Sequence, residues 1–248
     1  MRLQHATWQE VEAYLERSTG IIVPIGSTEQ HGPNGPMGTD ALCPEAIAWA
    51  LGERHGVLVG PTQAIGMAQH HLAFPGSLTL RPSTLVAVLR DTIESLAHHG
   101  FTHVFFLNGH GGNVATVNAA FAEVLSERSL RSRPVGELHL ELFNWFAGRR
   151  GRELAASLYG EAEGSHATAS EVSLAWHAAP QAVKEVAMSP RLAPTGSAQC
   201  DAHTFRQRFP DGRMGSDPSL ASIEHGARFL EAGVEDAWEA YRAFTGQS

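Results

Sequence analysis

Four short polar signatures supply carboxylates and imidazoles at spacings that suit a pair of divalent metal ions. They are Glu29 with His31, Asp40, His110 within Asn108-Gly-His110-Gly-Gly-Asn113, and His166 with Glu171 five residues on. Oxygen and nitrogen ligands with no cysteine among them favour Zn²⁺, Mn²⁺ or Fe²⁺ and an activated water, so hydrolysis is the first chemistry to consider. Glu29 and His31 are two apart, which in extended backbone turns both side chains to one face. Asp40 by itself reads first as a helix N-cap, although a carboxylate's two oxygens can bridge two ions where the site is shared. In 108–113 the glycines allow a tight turn and close approach by a ligand, and a helix starting there would favour anions. The plain alternative is a glycine-rich turn with a solvent-facing histidine; neither glycine-rich phosphate-loop pattern is present. Glu171 opens an apolar helical run and would be costly to bury unless paired or metal-bound, although by itself it reads as a surface glutamate.

Elements that could position these residues alternate along the chain. Thr7 and Glu10 make a capping box that opens a helix to about Arg17. Residues 20–26 are a short buried strand, 27–39 a polar glycine-rich loop, and a helix from Asp40 stops near Gly56. Strand candidates follow at 57–61 and 77–80. An amphipathic helix then begins at Pro82 and is closed by His98, His99 and Gly100. A buried strand at 103–107, a helix over about 113–127 and a strand at 135–143 complete the regular part. Strands alternating with helices predict a three-layer α/β/α fold with a mainly parallel sheet, in one domain over 1–248. In such folds ligands bind beyond the carboxyl ends of the strands, where the signatures after 20–25 and 103–107 lie. Residues 187–220 show no periodicity, as expected of an active-site cover, a subunit arm or a disordered loop. The last helix, about 219–244, is polar enough for the surface.

Bulk properties narrow the class. Hydrophobic content of 43% and charged content of 18% are those of a soluble globular enzyme. A net charge of −8, with no Lys/Arg-rich tract, argues against a nucleic-acid partner. No run of apolar residues is long enough to span a membrane, and 1–7 lacks the apolar stretch of a signal peptide. Two cysteines without a CxxC motif fit a reduced, cytoplasmic setting. Of the 14 histidines, seven (His55, His70, His71, His98, His99, His177 and His225) read as surface or helix-end residues.

Order and spacing together resemble the creatininase (creatinine amidohydrolase) family. The resemblance is carried by Pro24-Ile-Gly-Ser-Thr-Glu29-Gln-His31-Gly-Pro, Gly38-Thr-Asp40, His71-Leu-Ala-Phe74-Pro-Gly76-Ser, Asn108 to Asn113, His166-Ala-Thr-Ala-Ser-Glu171, Gly215-Ser-Asp217-Pro218 and Glu224-His225-Gly226. It implies a creatininase-like fold, two divalent metal ions (Zn, Mn or Fe) and a homo-oligomer, a hexamer by family habit. It also implies Glu29 and His110 on one metal, His31 on the other and Asp40 bridging. In creatininase proper an acidic residue two after the motif histidine completes the second metal; here Gly112 stands there, and Glu171 becomes the candidate for the missing ligand. His166 would be catalytic, as hydrogen-bond donor or proton shuttle, with Glu171 the alternative acid or base. Gly111, Gly112, Asn113, Trp145 and His71 are then the substrate-side residues.

The His-Gly-Gly-Asn form is similar to family members other than creatininase, such as formamide-pyrimidine deformylases and the mycofactocin precursor peptidase. Residues 161–165 hold no tryptophan for an aromatic lid, leaving Trp145 as a partial one. The expected activity is therefore metal-dependent hydrolysis of a C–N bond in a small amide, lactam or formamide through an activated water. Alternatives are creatinine itself, a cyclic ketone of sugar or inositol catabolism, or a metal- or ligand-binding protein without turnover.

Overall fold

The computed structural model describes residues 1–133 and 135–246. Four strands, β1 (Gly20–Ile25), β2 (Leu58–Val59), β3 (His103–Asn108) and β4 (His139–Asn144), form one sheet in the order β2-β1-β3-β4. Every pairing is parallel. The α-helices among the described residues are α1 (Trp8–Leu15), α2 (Thr39–His55), α3 (Pro82–His98), α4 (Val114–Ser129), α5 (Arg149–Tyr159), α6 (Ala169–Ala178), α7 (Ala202–Arg208) and α8 (Ile223–Thr245).

Alternation along β1 and β3 builds two cores, because successive side chains leave a strand on opposite faces. Ile21, Val23 and Ile25 join Val104 and Phe106 under Leu85, Leu89 and Ile93 of α3 and Val117 and Phe121 of α4. Ile22, Phe105 and Leu107 face Ile47 and Leu51 of α2, Leu174 of α6 and Phe229 of α8. A sheet buried on both faces is the reason its inner strands read as unbroken apolar runs. The architecture is three-layer α/β/α.

Several local expectations need correction. The strand at 57–61 shortens to Leu58–Val59. Residues 77–80 form no strand; Leu78 and Leu80 instead donate single bonds to Thr28 O and Gly66 O. The segment 187–220 contains α7, whose Phe205 is fully buried. The last helix is not a surface element: Phe229, Val234, Ala237 and Tyr241 recur at helical spacing and pack into the core beside α2. Helix α5 falls where the sequence pattern assigns no regular element. No helix among the described residues is long and apolar enough to cross a membrane.

Candidate metal centre

The chain brings four of its segments to the carboxyl end of the sheet. At the ends of β1 and β3 stand Gly26 and Gly109, whose backbones meet: Gly109 donates to Ile25 O at 2.9 Å. A Cβ on either glycine would collide with the carbonyl of Asp40. The two glycines thus let the first turn of α2 press directly onto both strand ends. Asp40 is the second residue of α2 rather than its N-cap, which is Gly38. Its carboxylate turns into the site. From β1 the chain runs into the 27–38 loop, pinned where Glu29 N donates to Met37 O (2.8 Å), and this loop carries Glu29 and His31.

Two imidazoles share the Asp40 carboxylate, one on each oxygen. His31 Nε2 lies 3.0 Å from Oδ1, and His110 Nδ1 lies 2.9 Å from Oδ2. Each ring's other nitrogen faces a backbone carbonyl: His31 Nδ1 is 3.1 Å from Glu29 O, and His110 Nε2 is 3.0 Å from Met67 O. A metal-binding histidine is held in this way, one nitrogen anchored by a carbonyl and the other presented to the ion. Glu29 Oε2 is 3.3 Å from His110 Nε2, and Glu171 Oε1 is 4.0 Å from His31 Nε2. Two ligands bonded to one ion at about 2.1 Å stand roughly 3.0–3.4 Å apart at octahedral to tetrahedral angles. The two Asp40 spacings match that range; Glu29 meets the carbonyl-anchored nitrogen of His110, and Glu171 stands farther off.

Orphaned oxygens support the same reading. Glu29 is fully buried and Asp40 nearly so, yet both Glu29 oxygens and Asp40 Oδ2 lack a hydrogen bond of acceptable geometry. Buried, unsatisfied carboxylate oxygens are expensive unless a cation answers them. The site's protonation shows the same demand. Burial opposes charge on His31, but Asp40, with Glu171 and Glu29, lifts its pKa to about 10. Burial likewise opposes charge on His110, and Glu29 and Asp40 lift it to about 9. Asp40 is buried too, but the two histidines hold it well below the usual carboxylate range. A proton or a divalent ion fills the same electrostatic role between these groups.

The remaining expected residues separate into those near this cluster's open side and those behind it. A cavity of about 400 Å³ is lined by Asp40, His110, Gly111, Trp145, His166 and Glu171, among others. Glu171 has a structural duty as well, closing the capping box of α6: its Oε1 accepts from Thr168 N at 2.6 Å. Burial raises its pKa to about 7, with His31 pulling the other way. The neighbouring Cys43, on α2, donates its thiol to Glu171 O at 3.4 Å and is fully buried.

His71, Gly112 and Asn113 do not line the cavity. Asn113, fully buried, donates to Gly26 O and accepts from Met67 N, so its amide ties the loops beneath the ligands together. A Cβ at Gly112 would strike the ring of His110. His71 is buried, its Nε2 3.0 Å from Glu29 Oε1, and both it and His70 are core residues rather than surface ones. The later motifs serve support. Ser216 donates to His166 O (2.7 Å), and Gly226 allows α8 to pack against the Ser173 carbonyl of α6.

Gln30, Met67 and Phe205 also belong to the site, though no motif in the sequence marks them. Phe205 of α7 packs edge-on against His71, ring centroids 4.7 Å apart, so part of 187–220 buttresses the site from behind. Gln30 offered one signal only, its position between two candidate ligands.

Residues 4–241 match the family model described as creatininase, creatinine amidohydrolase. The chain belongs to the creatininase family. Among solved members of that family, a structure titled as the manganese form of creatininase superposes with a TM-score of 0.84 at 26% identity, covering 98% of each chain. A mycofactocin precursor peptide peptidase of Mycobacterium ulcerans is 27% identical over 237 residues, 87% of this chain and 82% of the relative. The peptidase of the same name from Mycolicibacterium smegmatis is 37% identical over 108 residues, which are 41% of this chain and 43% of the relative. That match therefore spans less than half of the relative's length. Relatives of this chain thus carry names for more than one substrate, and the family supports hydrolysis more firmly than it supports a substrate.

Proposed function

We propose that this chain is a binuclear metal-dependent amidohydrolase that cleaves a C–N bond of a small amide, lactam or formamide. The observation that carries this reading is Asp40 standing between two carbonyl-anchored imidazoles, with one carboxylate oxygen toward each. Glu29, His110 and Asp40 would hold one ion; His31, Asp40 and Glu171 would hold the other. Ligands of nitrogen and oxygen alone suit Zn²⁺, Mn²⁺ or Fe²⁺. When bound, the two ions supply Lewis acidity, lowering the pKa of a water and polarising the substrate carbonyl.

The chain's own residues divide the rest of the work. His166 lines the cavity beside Glu171 and holds or moves a proton at its Nδ1, which faces Glu29 Oε1 at 3.9 Å. Trp145 and Phe229 give one wall an apolar surface that excludes water and orients the substrate. Gly111 leaves room at the mouth, since nothing lies within 4 Å of where its Cβ would stand. A second reading keeps this site and takes a peptide amide as substrate; the long match to the M. ulcerans peptidase favours it.

Metal analysis and a substrate panel test both readings. Purified protein is expected to hold close to two metal ions per chain and to hydrolyse a formamide, lactam or simple amide faster than a peptide. Turnover confined to peptides would favour the second reading. Two metals without turnover on any amide, formamide, lactam, peptide or cyclic ketone would leave a binding protein. Chelation is expected to abolish activity, and added Zn²⁺ or Mn²⁺ to restore it. Metal at a thousand times its Kd stabilises the fold by roughly 4 kcal/mol. Stripping it should lower Tm by about 10 °C, read by calorimetry.

A further inference from the structure

Gln30 lies between the candidate ligands Glu29 and His31, is 5% exposed, and its side-chain amide meets its own loop and three distant segments. Its side-chain oxygen accepts from Gly32 N at 2.9 Å, which fixes which end of the amide is oxygen. Its Nε2 then faces three neighbours at 2.9 Å each: Gly212 O, His71 Nδ1 and His166 Nε2. An amide nitrogen has two protons, so one neighbour receives none.

Counting acceptors decides which. Gly212 O can only accept, and so takes one proton. His166 Nε2 is also 2.9 Å from the backbone carbonyl of Gln30, which likewise can only accept. His166 must therefore carry its proton on Nε2 and cannot take one from the amide. The second amide proton goes to His71 Nδ1, which must be bare, placing the His71 proton on Nε2. This arrangement leaves one contact, Gln30 Nε2 to His166 Nε2, without an acceptor, and every other arrangement leaves at least two unmatched. Turning the amide over would set its nitrogen against Gly32 N and its oxygen against Gly212 O.

We propose that Gln30 is the positioning residue that fixes where His71 and His166 carry their protons. His71 then presents an N–H, not a lone pair, to Glu29 Oε1 at 3.0 Å. A neutral His166 then has its bare nitrogen, Nδ1, toward the same oxygen at 3.9 Å. A single residue thus sets which face one ligand's neighbour shows it and the resting tautomer of the proton carrier. The consequence for catalysis rests on the dinuclear reading; the proton assignment does not.

Neutron diffraction from zinc-loaded crystals tests it. Deuterium is expected on Nε2 of both rings and on neither Nδ1; deuterium on Nδ1 of His71 or of His166 overturns the proposal. In Gln30→Glu the amide donor becomes an acceptor, and deuterium is expected to appear on His71 Nδ1. Zinc affinity, measured by competition with a chelator, should fall about 10–100-fold, the scale typical of partners that orient a ligand. Unchanged deuterium positions with unchanged zinc affinity in that variant would also overturn it. Should Gln30→Glu fail to fold, the wild-type proton map decides alone. Wild-type crystals that take up no zinc would sink the dinuclear reading, while the same proton map, collected without metal, still judges Gln30.

Discussion

Asp40→Asn is expected to leave a folded chain that holds at most one metal ion and turns over at least about 10³-fold more slowly, since a misplaced ion forfeits several kcal/mol of transition-state stabilisation. The substitution keeps shape and removes charge. Asp40 serves both imidazoles, so losing it weakens two half-sites together, whereas losing any other candidate ligand empties one. The fold should tolerate the change. Asp40 is not the N-cap of α2, and with Asn at this position the two imidazoles can shed their charge instead of staying buried without a counter-ion. Circular dichroism, elemental analysis and initial rates on the same preparation check the three parts. Two ions and full activity in Asp40→Asn would remove the bridging role.

Gly109→Ala is the second large effect, and it reaches the site through the backbone. The added methyl would collide with the Asp40 carbonyl and lie 2.8 Å from Pro44 Cδ, so the neighbours that must yield belong to a helix and not to a flexible side chain. Overpacking of this kind costs about 2–3 kcal/mol, which should lower Tm by roughly 5–10 °C. Helix α2 can yield only by carrying Asp40 away from His110, so metal affinity should fall along with Tm. Gly111→Ala is the control. It is two residues away, with open space where the methyl would stand, and Tm should remain within about 1 °C. If Gly109→Ala behaves like Gly111→Ala, the contact between sheet and α2 does not set the ligand geometry.

What the residues announced in advance was local. β1 and β3 are short apolar runs ended by glycine and followed by polar loops, and this pattern is enough to place Glu29, His31 and His110 at one edge of a parallel sheet. Two helix starts, at Thr7 and Thr168, carry capping boxes; only the first was read as one. What stayed hidden depends on partners distant in the chain. Gln30 meets residues 41, 136 and 182 positions away, and no local pattern encodes such meetings. α8 was misplaced for a related reason. Its average polarity is that of a surface helix, but one stripe of Phe229, Val234, Ala237 and Tyr241 decides its position. Asp40 read as a cap because Asp at a helix start is ordinary, and only the fold shows Gly38 in that place.

Cys43 gives the buried junction of α2 and α6 a chemical reporter. Its thiol is inaccessible, bonded to the backbone of Glu171, and burial pushes its pKa well above the ordinary thiol range, so the reactive thiolate is scarce. An alkylating reagent reaches that sulfur only when the two helices part. The rate of its modification therefore clocks how often the protein breathes open at this seam, with the partly exposed Cys200 as an internal reference on the same chain.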